Sequence, residues 1–404
     1  MTITTNSPSA LKNNLLYGCL QAFYYVSIGS YFAYLILFLK KYGYSDVQIS
    51  LIMTMMAFIT MAVPPLGGYI TDFLLSSKKM VAGSLFLSVP AGFLLKFFAR
   101  SLPLTVAAVF LISVLVKGIG TILDSWGMKL QQQGVALNYG VSRGIASACY
   151  AAAMVVLGRL YDDFGLELMF YVYAVLAALA GAAALFLQDV PASPIKKEKH
   201  SEDSVLQIAK SLTKNPHYIL LIITMVLHGI SLAATNTLQP LYLTQLGGAS
   251  ADLGLLLFVS AMSEVPMMCS IGTLSKKFNP RALVLAGTIG GVARLYAISL
   301  AAGIPALIGV QVIQSLSYGL YYTAALVYTC AITNPRITAT AVAVGSAVGY
   351  GFSGIIGNAL CSVLLEWIPM PRLFAVFALI NVGAVLVFLL EFLPNRFRFK
   401  RRNA

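Results

Sequence analysis

Twelve long apolar stretches divided by short polar segments constrain this chain more than any other feature. They lie at about 15–39, 47–70, 80–99, 104–127, 142–162, 167–187, 217–241, 252–273, 282–301, 305–330, 339–363 and 372–393. Each is close to the roughly 20 to 25 residues that a bilayer-spanning helix uses. Together they consume most of the chain and leave only short loops. Composition agrees, since 59% of the 404 residues are hydrophobic and 10% charged, against about 25% charged in an ordinary soluble domain. A soluble enzyme is excluded. The expected fold class is an all-α membrane protein with twelve transmembrane helices.

The net charge of +13 would suggest nucleic acid in a soluble protein. In a membrane protein it marks cytoplasmic loops instead, because positive residues are retained on that face during insertion. With the N-terminus inside, the inner segments collect Lys12, Lys78, Lys79, Lys129, Lys196, Lys197, Lys199, Lys210, Lys214, Lys276, Lys277, Arg281, Arg336 and the tail from Arg396 to Arg402. The outer loops hold Lys40, Lys41, Arg100 and Arg372. Both termini are therefore expected in the cytoplasm, in what should be a bacterial cytoplasmic membrane. Topology and anionic lipid account for the basic tail, and no nucleic-acid partner is expected. The polar N-terminal segment with Lys12 lacks a small-residue cleavage site, so the first span is expected to stay as an anchor. Cys19, Cys149, Cys269, Cys330 and Cys361 lie singly in apolar runs and read as packing residues.

The longest polar stretch, from Gln188 to about Asn215, contains the run IKKEKHSEDS and divides the chain into an N-terminal half, 1–190, a cytoplasmic linker, 191–215, and a C-terminal half, 216–404. Each half has a short basic loop after its second span. Gly68 and Asp72 precede Lys78 and Lys79 in the first, and Gly272 precedes Lys276, Lys277 and Arg281 in the second. Equivalent loops in equivalent places imply a duplicated six-helix unit, the architecture in which a central site forms between two rocking halves.

An ionisable side chain inside a span costs several kcal/mol unless it meets a cavity or a partner. Lys117, Asp124, Arg143, Arg159, Glu264 and Arg294 are such residues, and His228 is the histidine within a span. Lys117 and Asp124 are seven apart, two helical turns, and share a face with Gly120 and Thr121. That face lines polar space, or else the two form a water-bridged structural pair or Asp124 lies at the cytoplasmic rim, where a charge costs little. Arg143, Ser147 and Tyr150 follow at i, i+4 and i+7. Arg143 offers a bidentate fork and Tyr150 a ring on which the C–H face of a sugar can lie; the alternatives are a basic flank and an interface aromatic. Glu264, with the helix-disrupting Pro266 two residues on, can accept hydroxyl hydrogen bonds; the alternative is a carboxylate satisfied by a structural hydrogen bond. Exclusion of water disfavours its charged form, which makes it a candidate proton carrier, with Arg294 as its natural ionic counterpart. Arg159 is expected to pair with Asp162 or Asp163, and His228 to serve packing.

The Gly68–Asp72 pattern with its basic loop, the two six-span halves and the charged linker resemble the major facilitator superfamily. In that family the loop is a gating and packing element at the cytoplasmic face, which would give Gly68, Asp72, Lys78 and Lys79 that role. Phe73 departs from the family pattern, where a basic residue follows the Asp. Within the superfamily the chain is similar to the oligosaccharide:proton symporter group typified by lactose permease. The local anchors are GSYFAY at Gly29–Tyr34, PLGGYITD at Pro65–Asp72 and LVLAGT at Leu283–Thr288. The resemblance implies that Asp124 pairs with Arg143, that Ser147 and Tyr150 stand at the sugar site, and that Glu264 and Arg294 occupy the essential acidic and basic positions of spans eight and nine. The span-ten histidine and glutamate of that group are replaced by Ser317 and Leu320, and its paired aspartates and lysines have no charged equivalents. Losing both members of a pair avoids a lone buried charge.

The expected function is a secondary transporter that takes up a sugar or oligosaccharide with protons by alternating access. Substrate-binding candidates are Asp124, Arg143, Ser147, Tyr150, Glu264 and Lys117; proton-coupling candidates are Glu264 and Arg294. The expected partners are a polyhydroxylated small molecule, protons and membrane lipid, with the protein a monomer. A nucleoside permease would use the same residue types. A drug/proton antiporter is a further alternative, though the run from Ser142 to Asp163 has no Pro and Gly only at 144 and 158. A receptor or scaffold would not need charges in spans of both halves. No nucleotide-binding loop, metal cluster or nucleophile triad appears, so no enzyme chemistry, cofactor or metal is expected.

Overall fold

The computed structural model describes residues 8–135, 137, 139–190, 212–334 and 337–393. Lys196, Lys197, Lys199, Lys210, Arg336 and the basic tail lie outside them. Eleven helices among the described residues are long and apolar enough to cross a membrane. Spans one to six are Lys12–Lys41, Asp46–Thr71, Ser77–Phe98, Leu102–Gln131, Ser142–Phe164 and Leu168–Phe186. Spans seven, eight and nine are Pro216–Gln245, Ser250–Lys277 and Pro280–Ser299, and spans eleven and twelve are Thr340–Leu364 and Met370–Phe392. The tenth apolar stretch is helical across 304–332 but in pieces: α-helix Ile304–Gly309, 3-10 turn Val310–Ile313, π-helix Ser315–Leu320 and α-helix Tyr321–Ile332.

Local chemistry sets the helix starts. Ser45 accepts from the Gln48 N–H at 3.2 Å while its own N–H donates to Gln48 Oε1 at 3.0 Å, which satisfies two donors that a helix start leaves open. Asn279 accepts from the Arg281 N–H at 3.0 Å, with Pro280 at the first helical position. Gly247 takes φ of 79° in the turn between spans seven and eight, a conformation that costs a glycine little.

One sequence expectation changes here. The second helix runs unbroken through Phe73, so Gly68 and Asp72 sit in its last turns rather than in a loop. Only Leu74, Leu75 and Ser76 separate it from the third helix, and Lys78 and Lys79 lie in that helix's first turn. The fourth span breaks at Lys117–Gly118, between α-helices Leu102–Val116 and Ile119–Gln132. Lys117 stands at this break, and Asp124, seven positions on, lies in the second helix. A Cβ on Gly118 would lie 3.0 Å from Val63 Cγ1, so the break also lets span four approach the Pro64 turn of span two.

The chain forms two compact units: Met1–Lys196 with Leu243–Phe258, and Lys197–Tyr242 with Val259–Ala404. In the first, span one packs on spans five and six, and span three on spans four and six. Span one contains a π-helical turn, Gly29–Ala33. Its wider turn leaves the Ser30 carbonyl to accept from the Tyr161 hydroxyl at 3.1 Å. Tyr31 and Tyr34 likewise donate to the carbonyls of Gly92 and Met154, at 3.2 and 2.9 Å. Buried tyrosines thus tie helix backbones together where apolar faces alone would leave polar groups unpaired.

The 243–258 segment of this unit packs closely on span five. A Cβ on Gly158 would lie 2.6 Å from the Ser250 carbonyl oxygen, and one on Gly254 would collide with the Met154 carbonyl oxygen. Among the described residues Asp162 does not pair with Arg159, which is exposed and makes no ion pair there. The Asp162 carboxylate accepts instead from the N–H groups of Ser250 and Ala251, both at 2.8 Å, at the start of span eight. A carboxylate there meets free donors and the positive end of the helix dipole. Charge-assisted hydrogen bonds are worth about 1.5–3 kcal/mol each, so Asp162→Ala is expected to raise amide hydrogen exchange across 243–258 at least about tenfold. Unchanged exchange would assign the holding of this segment to glycine packing alone.

In the second unit, span nine packs on spans ten and twelve. Gly287 makes the approach possible, since a Cβ there would lie 2.7 Å from Tyr321 Cα. The core around it includes Leu221, Val284, Tyr321, Tyr328 and Phe388.

Candidate functional site

Each unit carries its own cluster of polar side chains within apolar helices. In the first, Arg143 donates from Nη1 to Ser147 Oγ at 3.0 Å, one turn along span five. Its guanidinium carbon stands 4.1 Å from the centre of the Tyr25 ring. Such a cation–π contact orients the planar fork without using its hydrogen-bonding edge. Asp124 is an electrostatic neighbour of Tyr25, as Arg143 is. Both charges thus act on this tyrosine, and Arg143 itself contacts Ser147 and the Tyr25 ring.

Lys117, like Asp124, faces span one, where Phe32 stands seven residues beyond Tyr25. Its ammonium lies 4.1 Å from the centre of the Phe32 ring, at the break in span four. Tyr24 bridges this break: its hydroxyl donates to the Val116 carbonyl and accepts from the Gly120 N–H, both at 3.0 Å. Tyr24 and Tyr25 meet edge to face at 4.9 Å. Sequence reasoning passed over Tyr24, Tyr25 and Phe32. The available signal was an aromatic at seven- and eight-residue spacing on span one, which a core stripe would also produce.

Tyr150 is half-buried, with its ring edge against Gly29, where a Cβ would lie 2.6 Å from Tyr150 Cε2. Gly29 opens the π-helical turn of span one, so the glycine and the wide turn together seat the ring. A sugar stacked on its face would gain about 1 kcal/mol or more. Tyr150→Phe and Tyr150→Trp are accordingly expected to keep affinity within about threefold, and Tyr150→Ala to lose about fivefold or more. Substrate titrations of the purified variants measure this directly. A Phe variant as weak as the Ala variant would assign the contact to the hydroxyl.

In the second unit, Arg294 is buried and donates from Nη2 to Gln311 Oε1 at 2.8 Å and to Gln239 Oε1 at 3.4 Å. Glu264 accepts from Gln314 Nε2 at 2.7 Å. The direct Glu264–Arg294 ion pair expected from the sequence is not formed, because each charge is taken up by a span-ten glutamine. His228 acts in packing: its Nδ1 lies 2.9 Å from Asn381 Oδ1, and Asn381 Nδ2 donates to the Thr288 carbonyl at 3.1 Å. That second bond fixes the amide orientation and makes Nδ1 the protonated nitrogen. A pocket beside it is lined by His228, Ser231, Thr235, Arg294, Ser317 and Asn381, among others. Ser317, where the resemblance sets a histidine, therefore stands with the His228 side chain from span seven.

Of the cytoplasmic-face residues, Lys78 donates to the Leu187 carbonyl at 3.1 Å and so ties the third helix to the end of span six. Lys79 is exposed, Gly68 has open space where a Cβ would stand, and the Asp72 side chain lies outside the described residues. A pair that the sequence did not reveal closes one end of the second unit. His217 Nδ1 and Glu391 Oε2 are 2.6 Å apart and buried, and Arg281 donates to the Glu391 carbonyl at 3.4 Å.

Comparison with known proteins agrees with this architecture. The chain is 27% identical to the maltose permease of Geobacillus stearothermophilus over 368 residues, 91% of each chain. It is 25% identical to an uncharacterized transporter of Bacillus subtilis over 378 residues, again 91% of each. Two crystal structures of the nucleoside transporter NupG share its fold, with TM-scores of 0.81 and 0.77 at 17% and 18% identity, covering 94% and 96% of this chain and all of theirs. The model of the MFS_1 like family matches residues 17–376. The chain belongs to that family and is a multi-pass membrane transporter of the major facilitator type.

Proposed function

We propose that this transporter takes up a sugar or oligosaccharide together with protons, by alternating access of its N-terminal (1–190) and C-terminal (216–404) halves. The observation that carries the reading is the Arg143–Ser147–Tyr25 cluster. A guanidinium held over an aromatic ring, with one N–H on a serine hydroxyl, is prepared to donate to vicinal hydroxyls. Tyr150 supplies the stacking face, Asp124 accepts from ring hydroxyls, and Lys117 keeps the wall of the site polar. Glu264 accepts a hydroxyl and carries the proton, with Arg294 as its charged counterpart. Gly68, Asp72, Lys78 and Lys79 serve the cytoplasmic gate. The likeness to a maltose permease supports the substrate class. The positive-inside bias supports termini in the cytoplasm of a bacterial cytoplasmic membrane, with the protein working as a monomer.

The second reading is nucleoside transport. It is favoured by the same residue types, since a base would stack on Tyr150 and a ribose would hydrogen-bond Arg143. Reconstituted vesicles separate the two. An inward proton gradient is expected to accumulate radiolabelled maltose or a related oligosaccharide, with uridine neither accumulated nor competing. Accumulation of uridine with no response to any sugar would replace the first reading by the second. Uptake that only equilibrates would remove proton coupling and leave a facilitator.

A further inference from the structure

Span ten inserts two amides between the charges of spans eight and nine. Gln311 lies in the 3-10 turn Val310–Ile313 and Gln314 follows it directly. In 3-10 geometry residues three apart eclipse one another, so both amides leave the same face of the span. Their orientations differ for identifiable reasons. Gln311 Nε2 donates to the Leu307 carbonyl at 2.8 Å, which turns Oε1 toward Arg294; Ser260 Oγ donates to the same oxygen at 3.2 Å. Gln314 presents its N–H to Glu264 instead, and its buried Oε1 has no hydrogen-bond partner among the described residues. Ser263 fixes the turn by donating to the Gln311 carbonyl at 3.2 Å.

We infer that Gln311 and Gln314 form an amide spacer that keeps Arg294 from pairing with Glu264, so that Glu264 remains free to take up and release a proton. The chemistry of the two ends explains why amides are used. A carboxylate in contact with a guanidinium is held in its charged form and does not carry a proton through a transport cycle. Gln311 gives the guanidinium a neutral acceptor and removes that hold. Gln314 suits both states of Glu264. Its N–H donates to the ionised carboxylate, and its open Oε1 accepts the O–H of the neutral acid while the N–H stays on the acid's carbonyl oxygen. The charged group acting on Glu264 is Arg294 of span nine, and Gln314 is its neutral partner from span ten. Gln311 and Gln314 are thus positioning residues, a role outside the expected substrate and proton sites.

This inference rests on Glu264 being the proton carrier, and the experiment separates the two claims. Gln311→Leu removes the acceptor that occupies Arg294, whereas Gln311→Glu supplies one with its own charge. In reconstituted vesicles, Gln311→Leu is expected to lose about tenfold or more of proton-driven accumulation while equilibrium exchange stays within about twofold of the unmodified protein, because Arg294 then pins Glu264. Gln311→Glu is expected to keep accumulation. A merely structural Gln311 predicts the reverse order, since a buried carboxylate disturbs packing more than an apolar leucine of similar size. If Gln311→Leu accumulates as well as the unmodified protein while Glu264→Gln does not, the spacer is wrong and the carrier stands. If Glu264→Gln still accumulates, the carrier and the spacer both fall. Thermal stability of each purified variant, expected within a few degrees of the unmodified protein, shows that the comparison is between folded proteins.

Discussion

Arg143→Lys lowers substrate affinity at least about tenfold, the larger of the two binding losses expected in the first unit. The native guanidinium stands over the Tyr25 ring with Nη1 on Ser147 Oγ, so two contacts restrict the direction of its remaining N–H groups before substrate arrives. An ammonium has no plane to lay on the ring and no second parallel donor for a vicinal diol. Losing one charge-assisted hydrogen bond of about 1.5–3 kcal/mol corresponds to roughly ten- to hundredfold in affinity. Tyr25→Leu leaves the charge intact but removes the surface that orients it, and is expected to reproduce part of the same loss. Affinity of Arg143→Lys within twofold of the unmodified protein would make Arg143 a basic flank. Isothermal titration or substrate protection against heat measures both variants.

The fold was legible because it depends on properties summed over many residues. Apolar stretches of bilayer length and the repeated basic segments required no knowledge of which side chains touch. What the sequence did not show was which partners the polar side chains meet. Spacing set Lys117 and Asp124 seven apart on span four, but it carried no sign of the Phe32 ring under Lys117 or of the turn at Lys117–Gly118 that Tyr24 bridges. The polar stripe on span five survived because that helix is unbroken from Tyr139 to Phe164, so Arg143 does reach Ser147. Glu264 and Arg294 stood out as charges in apolar surroundings, yet their neutral partners did not, since glutamines within a span carry no comparable signal. Contacts such as His217–Glu391, 174 residues apart, have no spacing to read. The three π-helical turns, at Gly29–Ala33, Ser315–Leu320 and Ala347–Phe352, were equally invisible in composition. Two of them, at Gly29–Ala33 and Ser315–Leu320, border the polar clusters.

Glu264→Gln abolishes uphill uptake driven by a pH gradient while equilibrium exchange persists, provided substrate affinity survives. The physical requirement for a proton carrier is a carboxyl group whose two protonation states are both tolerated within apolar surroundings. Glu264 meets it in the second unit: it is partly buried, bonded at 2.7 Å to an amide with an unused acceptor, and clear of a direct guanidinium contact. Glutamine keeps the shape and a carbonyl acceptor for Gln314 Nε2 but cannot exchange a proton. Downhill movement and exchange need only the conformational change, so they outlast the substitution; accumulation needs proton release on the other side and does not. Asp124→Asn is the control, because Asp124 lies by the Tyr25 cluster and serves substrate binding in the proposed mechanism. It is expected to weaken affinity without uncoupling the substrate that still moves. Should Asp124→Asn lose accumulation at saturating substrate while Glu264→Gln retains it, the proton travels through the first unit, and the amides of span ten have a purely structural task.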